Sequence, residues 1–316
     1  MKLTHPHVRH LYWSICSQEL AFVSGVNPLP QINEEEVKTW CEQLNHQPQS
    51  LDAFIAEREH RLLGSYFEVL WQYFFSHFPR WQLLGSQVQI PPSGPTLGEL
   101  DIVCQSPCGQ PLHVELAIKL YLRHPNHTGL EDSHWLGPRT NDRLDLKLNK
   151  LEQKQFQMLQ HEATQNTLSA ANLPNQLTAA SVIKGYLFEP FSGASFDETP
   201  SAPFQKPRSA NSNCHTGYWI HGHKIDELLT QHNHWQIIEK WQWLGPYWQQ
   251  QSPLNSKAVE TFVTQHFSQP LSHRQSQSLS PPNYALMLIA LTPEGHSWVE
   301  QSRFMVVDSA WPYDKP

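Results

Sequence analysis

The chain has 316 residues, 39% of them hydrophobic, which is enough for one large domain or two ordinary ones and excludes disorder along its whole length. Its 22 basic and 29 acidic residues give a net charge of -7, which argues against a protein-wide basic surface for nucleic acid. Apolar stretches fall well short of the ~20 residues of a membrane span, and no secretory signal follows Met1. With five scattered cysteines and no disulfide framework, these features predict a cytoplasmic protein without a membrane span.

Residues 1–59 predict an N-terminal helical region. Asn33 followed by Glu34, Glu35 and Glu36 indicates a helix start, because acidic side chains favour the first turn of a helix. A second start is indicated at Ser50, which precedes an apolar run.

Residues 60–190 predict an α/β core. Apolar residues recur at helical spacing in the first part, and short apolar runs bounded by turn residues follow. The predicted elements are a helix at 61–78, strands at 81–90, 100–105 and 112–122, a helix at 141–160 and a strand at 180–188. The order is helix, three-stranded meander, helix, strand.

The rest of the chain predicts a linker and an added α+β region. Residues 191–213 are rich in Ser, Pro, Ala and Gly, which is typical of a long loop. Residues 214–316 contain predicted strands at 284–291 and 304–307. We interpret the tryptophans between 235 and 248 as core or as a subdomain contact, with base stacking as the alternative.

Two acidic residues face each other across the predicted hairpin. If the strands at 100–105 and 112–122 pair symmetrically about Cys108, Asp101 lies directly opposite Glu115. Opposed residues hold their Cβ atoms about 4.5–5.5 Å apart, and two carboxylates at that distance repel unless a positive charge lies between them. The pair therefore predicts a divalent cation, Mg²⁺ or Mn²⁺, with a solvated acid pair as the alternative.

Lys119 and Glu68 extend this predicted site. His113, Glu115, Ala117 and Lys119 share one face of the strand because side chains alternate. The Lys119 ammonium could assist an attacking water or stabilise a phosphate, although it could equally be a salt-bridge partner. Glu68, on the preceding helix, could add a third carboxylate to the metal.

The motif Gly98-Glu-Leu-Asp101 followed by Glu115-Leu-Ala-Ile-Lys119 resembles the paired motifs of the PD-(D/E)XK nuclease superfamily. The resemblance covers the middle third of the chain. It implies a restriction-endonuclease-like core in which Asp101 and Glu115 bind the metal, Glu68 is the helix carboxylate and Lys119 is the catalytic lysine. Segments 98–101, 114–122 and 141–148 also resemble an uncharacterised bacterial domain-of-unknown-function family, nearly end to end.

One position departs from the superfamily pattern. The superfamily has its lysine two residues after the carboxylate, where this chain has Ala117. Four strand residues span about 13 Å, against about 7 Å for two. Three explanations are open for Ala117 at this position: a bulge shortens the distance to Lys119, the lysine has migrated, or catalysis is lost.

A basic row on the predicted helix at 141–160 is the candidate surface for nucleic acid. At 100° per residue its members project within an arc of about 80°, beside apolar residues that would face the core. The row consists of Arg143, Lys147, Lys150 and Lys154, with Arg139 just ahead of the helix. A solvated helix face is the simpler alternative.

These features predict a metal-dependent nuclease that hydrolyses phosphodiester bonds in DNA or RNA. The alternative is a catalytically inactive nuclease-fold module that binds nucleic acid or a protein partner. A weaker hypothesis is a zinc-stabilised structural protein that uses Cys104 with Cys108, or Cys214 and His215 with His221 and His223, although these spacings match no standard zinc pattern.

Overall fold

The structure is a computed structural model of the whole chain. It describes residues 3–23, 27–29, 32–91, 98–155, 157–193, 204–269 and 285–313, with backbone alone at 27–28 and 154–155. The helices are α1 (Pro6–Cys16), α2 (Glu34–His46), α3 (Gln49–Ala56), α4 (Leu63–His77), α5 (Leu144–Lys150), α6 (Glu162–Ala170), α7 (Ile225–Leu229) and α8 (Ser256–Ser268). The strands are β1 (Asn27–Pro28), β2 (Gln82–Ile90), β3 (Gly98–Gln105), β4 (Pro111–Arg123), β5 (Trp135–Leu136), β6 (Thr178–Pro190), β7 (His215–His221), β8 (Trp235–Ile238), β9 (Trp248–Gln249), β10 (Ala285–Glu294) and β11 (Ser297–Val307).

The chain divides into two compact units. Unit 1 contains residues 1–118 and 145–184, and unit 2 contains residues 119–144 and 185–316. The boundaries fall inside β4 and β6, so each of these strands contributes residues to both units. The units therefore cut through the predicted core range 60–190 and do not coincide with it.

Unit 1 combines helices with the strand order β2-β3-β4-β6. Adjacent β2, β3 and β4 are antiparallel, as the predicted meander requires, and β1 pairs in parallel with β6. Helix α4 begins after Leu62, whose N–H donates to Ser65 Oγ, and residues Tyr66 to Phe75 on its broad apolar side are buried except at the position of Glu68. The predicted helix at 61–78 is confirmed.

The N-terminal helices follow their sequence signals. Asn33 accepts hydrogen bonds from the N–H groups of Glu35 and Glu36 at the start of α2, which satisfies donors that the first turn leaves open. Helix α3 begins at Gln49, one residue before the predicted start at Ser50. Both predicted helices are confirmed.

Unit 2 contains the strand order β6-β7-β11-β10-β8. The β6–β7 and β7–β11 pairs are parallel, and the β11–β10 and β10–β8 pairs are antiparallel. A core of buried aliphatic and aromatic side chains lies against α7 and α8, with Trp235 and Phe304 fully buried within it. The α/β class is therefore confirmed, with parallel and antiparallel strands mixed.

The predicted helix at 141–160 is wrong as a continuous element. Only residues 144–150 form an α-helix, and a wider π-type turn over Leu151–Gln155 and a 3₁₀ turn over Gln157–Gln160 follow it. Arg143 precedes the helix and forms a β-bridge with Leu136. Because a π turn changes the angular spacing of side chains, the sequence periodicity does not continue through this segment.

All five cysteines are free. Among the described residues, no helix has both the length and the apolar character needed to cross a bilayer. In the predicted 191–213 loop, the described residues form a bend, turns and irregular backbone, with one bridge residue at Ala210, and residues 194–203 lie outside the described residues.

Candidate carboxylate site

The hairpin register predicted from the sequence is confirmed. Strands β3 and β4 pair Gln105 with Pro111, Cys104 with Leu112, Val103 with His113 and Ile102 with Val114, which is the symmetric arrangement about Cys108. The regular ladder ends there, one residue before Asp101 and Glu115. Asp101 instead accepts a hydrogen bond from the N–H of Leu116 through Oδ2, at 2.8 Å.

Four acidic side chains of unit 1 influence one another electrostatically, and we call them the carboxylate cluster. They come from α4, β3 and β4, so local sequence order does not bring them together. The cluster consists of Glu68, Glu99, Asp101 and Glu115. Glu115 is 1% exposed, whereas the other three are partly exposed.

Asp101 is held in its protonated form by its surroundings. Burial, then the negative charges of Glu115 and Glu68, raise the pKa of Asp101 to about 8, while the Leu116 N–H and the Lys147 charge oppose this rise. An isolated aspartate ionises near 3.9. The Asp101 carboxyl therefore keeps its proton at pH values where an ordinary aspartate is charged.

Glu68 and Glu99 show the same direction of change. Burial is the largest cause that raises the pKa of Glu68, and the charges of Glu99 and Glu115 add to it, against a hydrogen bond from Gln87 and the charge of Lys147. The Gln87 Nε2 donor lies 3.2 Å from Glu68 Oε2. Burial and then Glu115 raise the pKa of Glu99, which also accepts a hydrogen bond from Gln89.

His113 adds an imidazole beside the cluster. Its Nε2 atom lies 3.2 Å from Glu115 Oε1, and both side chains are buried. The two residues are separated by two positions on β4, so the contact follows from the alternation of side chains along a strand. The sequence pattern placed His113 on this face, but no role was predicted for it.

The carboxylate oxygens are not assembled into a closed metal shell. Within the described ranges, no three side chains of the cluster bring their ligand atoms within 4.8 Å of one another. Asp101 Oδ2 is occupied by the hydrogen bond from the Leu116 N–H.

Lys119 forms a salt bridge in unit 2. Its Nζ lies 2.6 Å from Asp142 Oδ2, and the Tyr121 hydroxyl donates to the other oxygen of the same carboxylate at 3.2 Å. The salt-bridge alternative for Lys119 is therefore what the structure contains. The lysine whose charge acts on Asp101 and Glu68 is Lys147 of α5, which the sequence pattern placed only in the basic row.

The predicted basic row does not form one stripe on a single helix. Arg139 and Arg143 lie in unit 2 ahead of α5, whereas Lys147 and Lys150 lie on α5 in unit 1. The side chain of Lys154 lies outside the described residues. The arc expected from 100° per residue is thus wrong, because the helix begins late and ends in a π turn.

The predicted zinc groups are not assembled. Cys104 is buried and Cys108 is exposed. His221 contacts the Trp311 carbonyl oxygen, and His223 contacts the Ser309 hydroxyl.

Among described residues, the group that brings three potential ligands together is His5, His7 and Asp52. A His-Pro-His sequence near the start was the available signal, but Asp52 lies 45 positions beyond His7 and the sequence gives no reason to join them.

The chain matches the family described as a domain of unknown function (DUF1853) over residues 9–307, and it belongs to that family. The expected membership of a domain-of-unknown-function family is thereby confirmed. No curated protein and no solved structure matches the chain.

Proposed function

We propose that this member of the DUF1853 family is a metal-dependent nuclease, with Asp101 and Glu115 as ligands of Mg²⁺ or Mn²⁺ and Glu68 in support. The observation behind this proposal is the meeting of carboxylates from three separate elements at a partly buried place. Burying several like charges together is costly unless a cation is bound, and hard oxygen donors are the ligands these ions prefer.

The spacing of His113 and Glu115 supports the same assignment. Two adjacent ligands of a six-coordinate ion with bonds of about 2.1 Å lie about 3.0 Å apart. His113 Nε2 and Glu115 Oε1 are 3.2 Å apart. We therefore add His113 as a candidate ligand, and its imidazole favours Mn²⁺ over Mg²⁺.

The chain's own groups suit phosphodiester hydrolysis. A bound metal would supply Lewis acidity and a more acidic water. Lys147, whose charge acts on Asp101 and Glu68, is suited to neutralise a phosphate oxygen. The raised pKa of Glu68 suits a side chain that accepts a proton at Oε more readily than an ordinary glutamate does.

The resemblance to the PD-(D/E)XK superfamily, with its restriction-endonuclease-like core, supports the reaction class by analogy alone. The proposed role of Lys119 in water attack requires its ammonium to leave Asp142.

For nucleic-acid contacts we retain Arg139, Arg143, Lys147, Lys150 and Lys154 as candidates. We also propose a cytoplasmic location, since five free cysteines fit a reducing compartment.

A second candidate is a catalytically inactive module that binds nucleic acid or a protein partner. It is favoured by Ala117 in the usual lysine position and by the engagement of Lys119 with Asp142. The hydrogen bond from Leu116 to Asp101 also favours it, because an acid that bonds to its own backbone has a structural role without a metal.

The test is calorimetric titration of Mn²⁺ into the full chain at pH 7.5, with cleavage of DNA and RNA mixtures measured on the same samples. Asp101→Asn keeps the shape and the acceptor for Leu116 but removes the charge. Asp226→Asn, at an exposed acid of α7, is the matched control. We expect Asp101→Asn to weaken Mn²⁺ binding and slow cleavage by at least about 100-fold.

Two results would contradict the nuclease assignment. Cleavage that survives in Asp101→Asn would remove Asp101 from the reaction. Nucleic-acid binding that persists in EDTA, with no cleavage in the wild-type chain at any Mn²⁺ concentration, would favour the inactive module.

A further inference from the structure

Two histidines and one aspartate meet at the N-terminus of α1, and we call them the histidine–aspartate cluster. His7 Nδ1 lies 2.8 Å from Asp52 Oδ1, and His5 Nε2 lies 3.3 Å from Asp52 Oδ2. One ligand atom from each of the three residues can be chosen so that all lie within 4.8 Å of one another. The cluster shares no residue with the carboxylate cluster.

We propose that His5, His7 and Asp52 form a binding site for a divalent transition metal of the Zn²⁺ type, with open coordination positions. Two imidazoles and one carboxylate are a ligand set that Zn²⁺ accepts, and hard ions such as Mg²⁺ do not favour it. With bonds of about 2.0–2.1 Å, tetrahedral ligands lie about 3.3–3.4 Å apart. The His5–Asp52 distance of 3.3 Å already fits this separation, and the His7–Asp52 distance of 2.8 Å is about 0.5 Å shorter, so the two contacts need only a small adjustment around an ion.

The backbone holds these three side chains in place. His5 caps α1 immediately before Pro6, and its N–H donates to Asn45 Oδ1 on α2 at 2.9 Å. His7 lies in the first turn of α1, and Asp52 lies in the first turn of α3. Because each ligand sits in or next to a regular helix, little conformational entropy is lost when a metal binds.

The surroundings suit a metal with one open side. The side chains of His5, His7 and Asp52 are 25%, 26% and 41% exposed, so solvent can reach the ion and supply further ligands. The buried Tyr66 ring packs against the His7 ring at 5.9 Å and limits its movement. Burial, reinforced by His7 and Arg9 and opposed by Asp52, lowers the pKa of His5.

The buried Nδ1 atom of His5 limits the affinity that we expect for Zn²⁺. Binding through Nε2 puts the proton of His5 on Nδ1, which is buried and has no hydrogen-bond partner among the described residues. An unsatisfied buried donor weakens binding. We therefore expect micromolar affinity for Zn²⁺.

The experiment is titration of Zn²⁺ into the EDTA-treated, dialysed full chain in competition with a chromogenic chelator at pH 7.5. His7→Gln and Asp52→Asn each remove one ligand while keeping a polar side chain of similar size. His46→Gln, at an exposed histidine that ends α2, is the matched control. We expect about one equivalent of Zn²⁺ at this site in the wild type and in His46→Gln, counted after any Zn²⁺ lost in Asp101→Asn has been assigned to the carboxylate cluster, and binding at this site weaker by at least about 100-fold in the two site variants.

Two further measurements make the result specific. Circular dichroism verifies that each variant is folded, and the visible absorption of bound Co²⁺ reports nitrogen and oxygen ligation, which His7→Gln should abolish. Asp101→Asn removes any Zn²⁺ or Co²⁺ held at the carboxylate cluster but should keep the ion held by His5, His7 and Asp52, so failure of the nuclease proposal and failure of this one are separable. Unchanged Zn²⁺ affinity in His7→Gln and Asp52→Asn, or no binding by the wild type at micromolar concentrations, would show instead that Asp52 only accepts hydrogen bonds from the two histidines.

Discussion

Buried charge is balanced in one region of this protein and unbalanced in another. In unit 2, Arg303 is 2% exposed. Its guanidinium donates to both carboxylate oxygens of Glu300, at 2.8 and 2.9 Å, and to the carbonyl oxygens of Trp243 and Gly245, at 2.7 and 2.6 Å. The ring of Tyr186 lies against it, with 4.1 Å between the ring centroid and Cζ. Charge and hydrogen-bonding capacity are matched here by fixed partners.

The carboxylate cluster of unit 1 has the opposite arrangement. Burial and the charges of neighbouring acids raise the pKa values of Glu68, Glu99 and Asp101, and the Lys147 charge opposes this rise at Asp101 and Glu68. This is a local property, because elsewhere in unit 1 the buried Lys184 pairs with Glu19 at 3.0 Å. The comparison indicates that the Arg303 network stabilises the fold, whereas the cluster retains unfavourable charge, which the proposed metal would relieve.

The largest effect on stability is expected for Arg303→Met. This change removes the guanidinium but keeps most of the apolar volume, and it leaves Glu300 without its charged partner. Breaking a buried pair in this way costs about 3–5 kcal/mol. Denaturant unfolding of the full chain measures the loss.

Arg208→Met is the control, because Arg208 pairs with Glu131 at 2.9 Å but its side chain is 79% exposed. An exposed pair contributes at most about 1 kcal/mol. Similar losses in the two variants would mean that the Arg303 network is no more important for stability than a surface pair.

The next effect is expected for Asp101→Asn in metal-free protein, and it has the opposite sign. Since the pKa of Asp101 is raised to about 8 in the folded chain, the folded state holds this proton more tightly than the unfolded state does. The stabilising contribution is complete below pH 4 and is lost as the pH rises to 8. The asparagine side chain of the variant does not ionise, so we expect the variant to gain on the order of 2–4 kcal/mol over the wild type at pH 8.5 and little at pH 4.

Denaturant unfolding in EDTA at a series of pH values measures this difference, with Asp226→Asn as the control for an exposed acid. A stability gain that is the same at pH 4 and pH 8.5 would contradict the raised pKa. Added Mn²⁺ should stabilise the wild type more than Asp101→Asn, because the metal replaces the proton as the balancing charge.

The smallest effect is expected for Lys147→Met. The Lys147 charge lowers the pKa of Asp101 and of Glu68, so its removal should move the pH-dependent loss of stability to higher pH. We expect a change below about 1 kcal/mol at pH 7. Carboxyl-carbon NMR titration of Asp101 provides the direct readout.

Lys150→Met, at an exposed lysine of the same helix, should leave the titration unchanged. Equal shifts in the two variants would mean that net charge, and not the position of Lys147, influences the cluster.

The hairpin of β3 and β4 was predictable because a short, turn-rich connector fixes the register of an antiparallel pair. Knowing the register placed Asp101 and Glu115 at corresponding positions. It did not show that Asp101 would bond to the Leu116 N–H, since this depends on where the ladder ends.

The helix at 141–160 was not predictable in the same way. Its apolar and basic residues have helical spacing, but Asp142 is bonded to Lys119 and Tyr121, and Arg143 bridges to Leu136. These contacts join residues well separated in the chain, and they compete with the first turn of a helix. Helical periodicity reflects only the preference of neighbouring residues for a helix, and it does not reveal contacts with distant residues that compete with the helix.

The sequence by itself determined the α/β class, the helix starts at Asn33 and near Ser50, the apolar side of α4 and the β3–β4 register. All of these depend on neighbours within a few residues or across one tight connector. Tertiary structure alone decided that Lys147 and not Lys119 acts on Asp101, and that Asp52 joins His5 and His7. Long-range packing determines these partners, because the free energy that selects them comes from burial and charge in the folded chain. Such contacts produce no periodic pattern in the sequence.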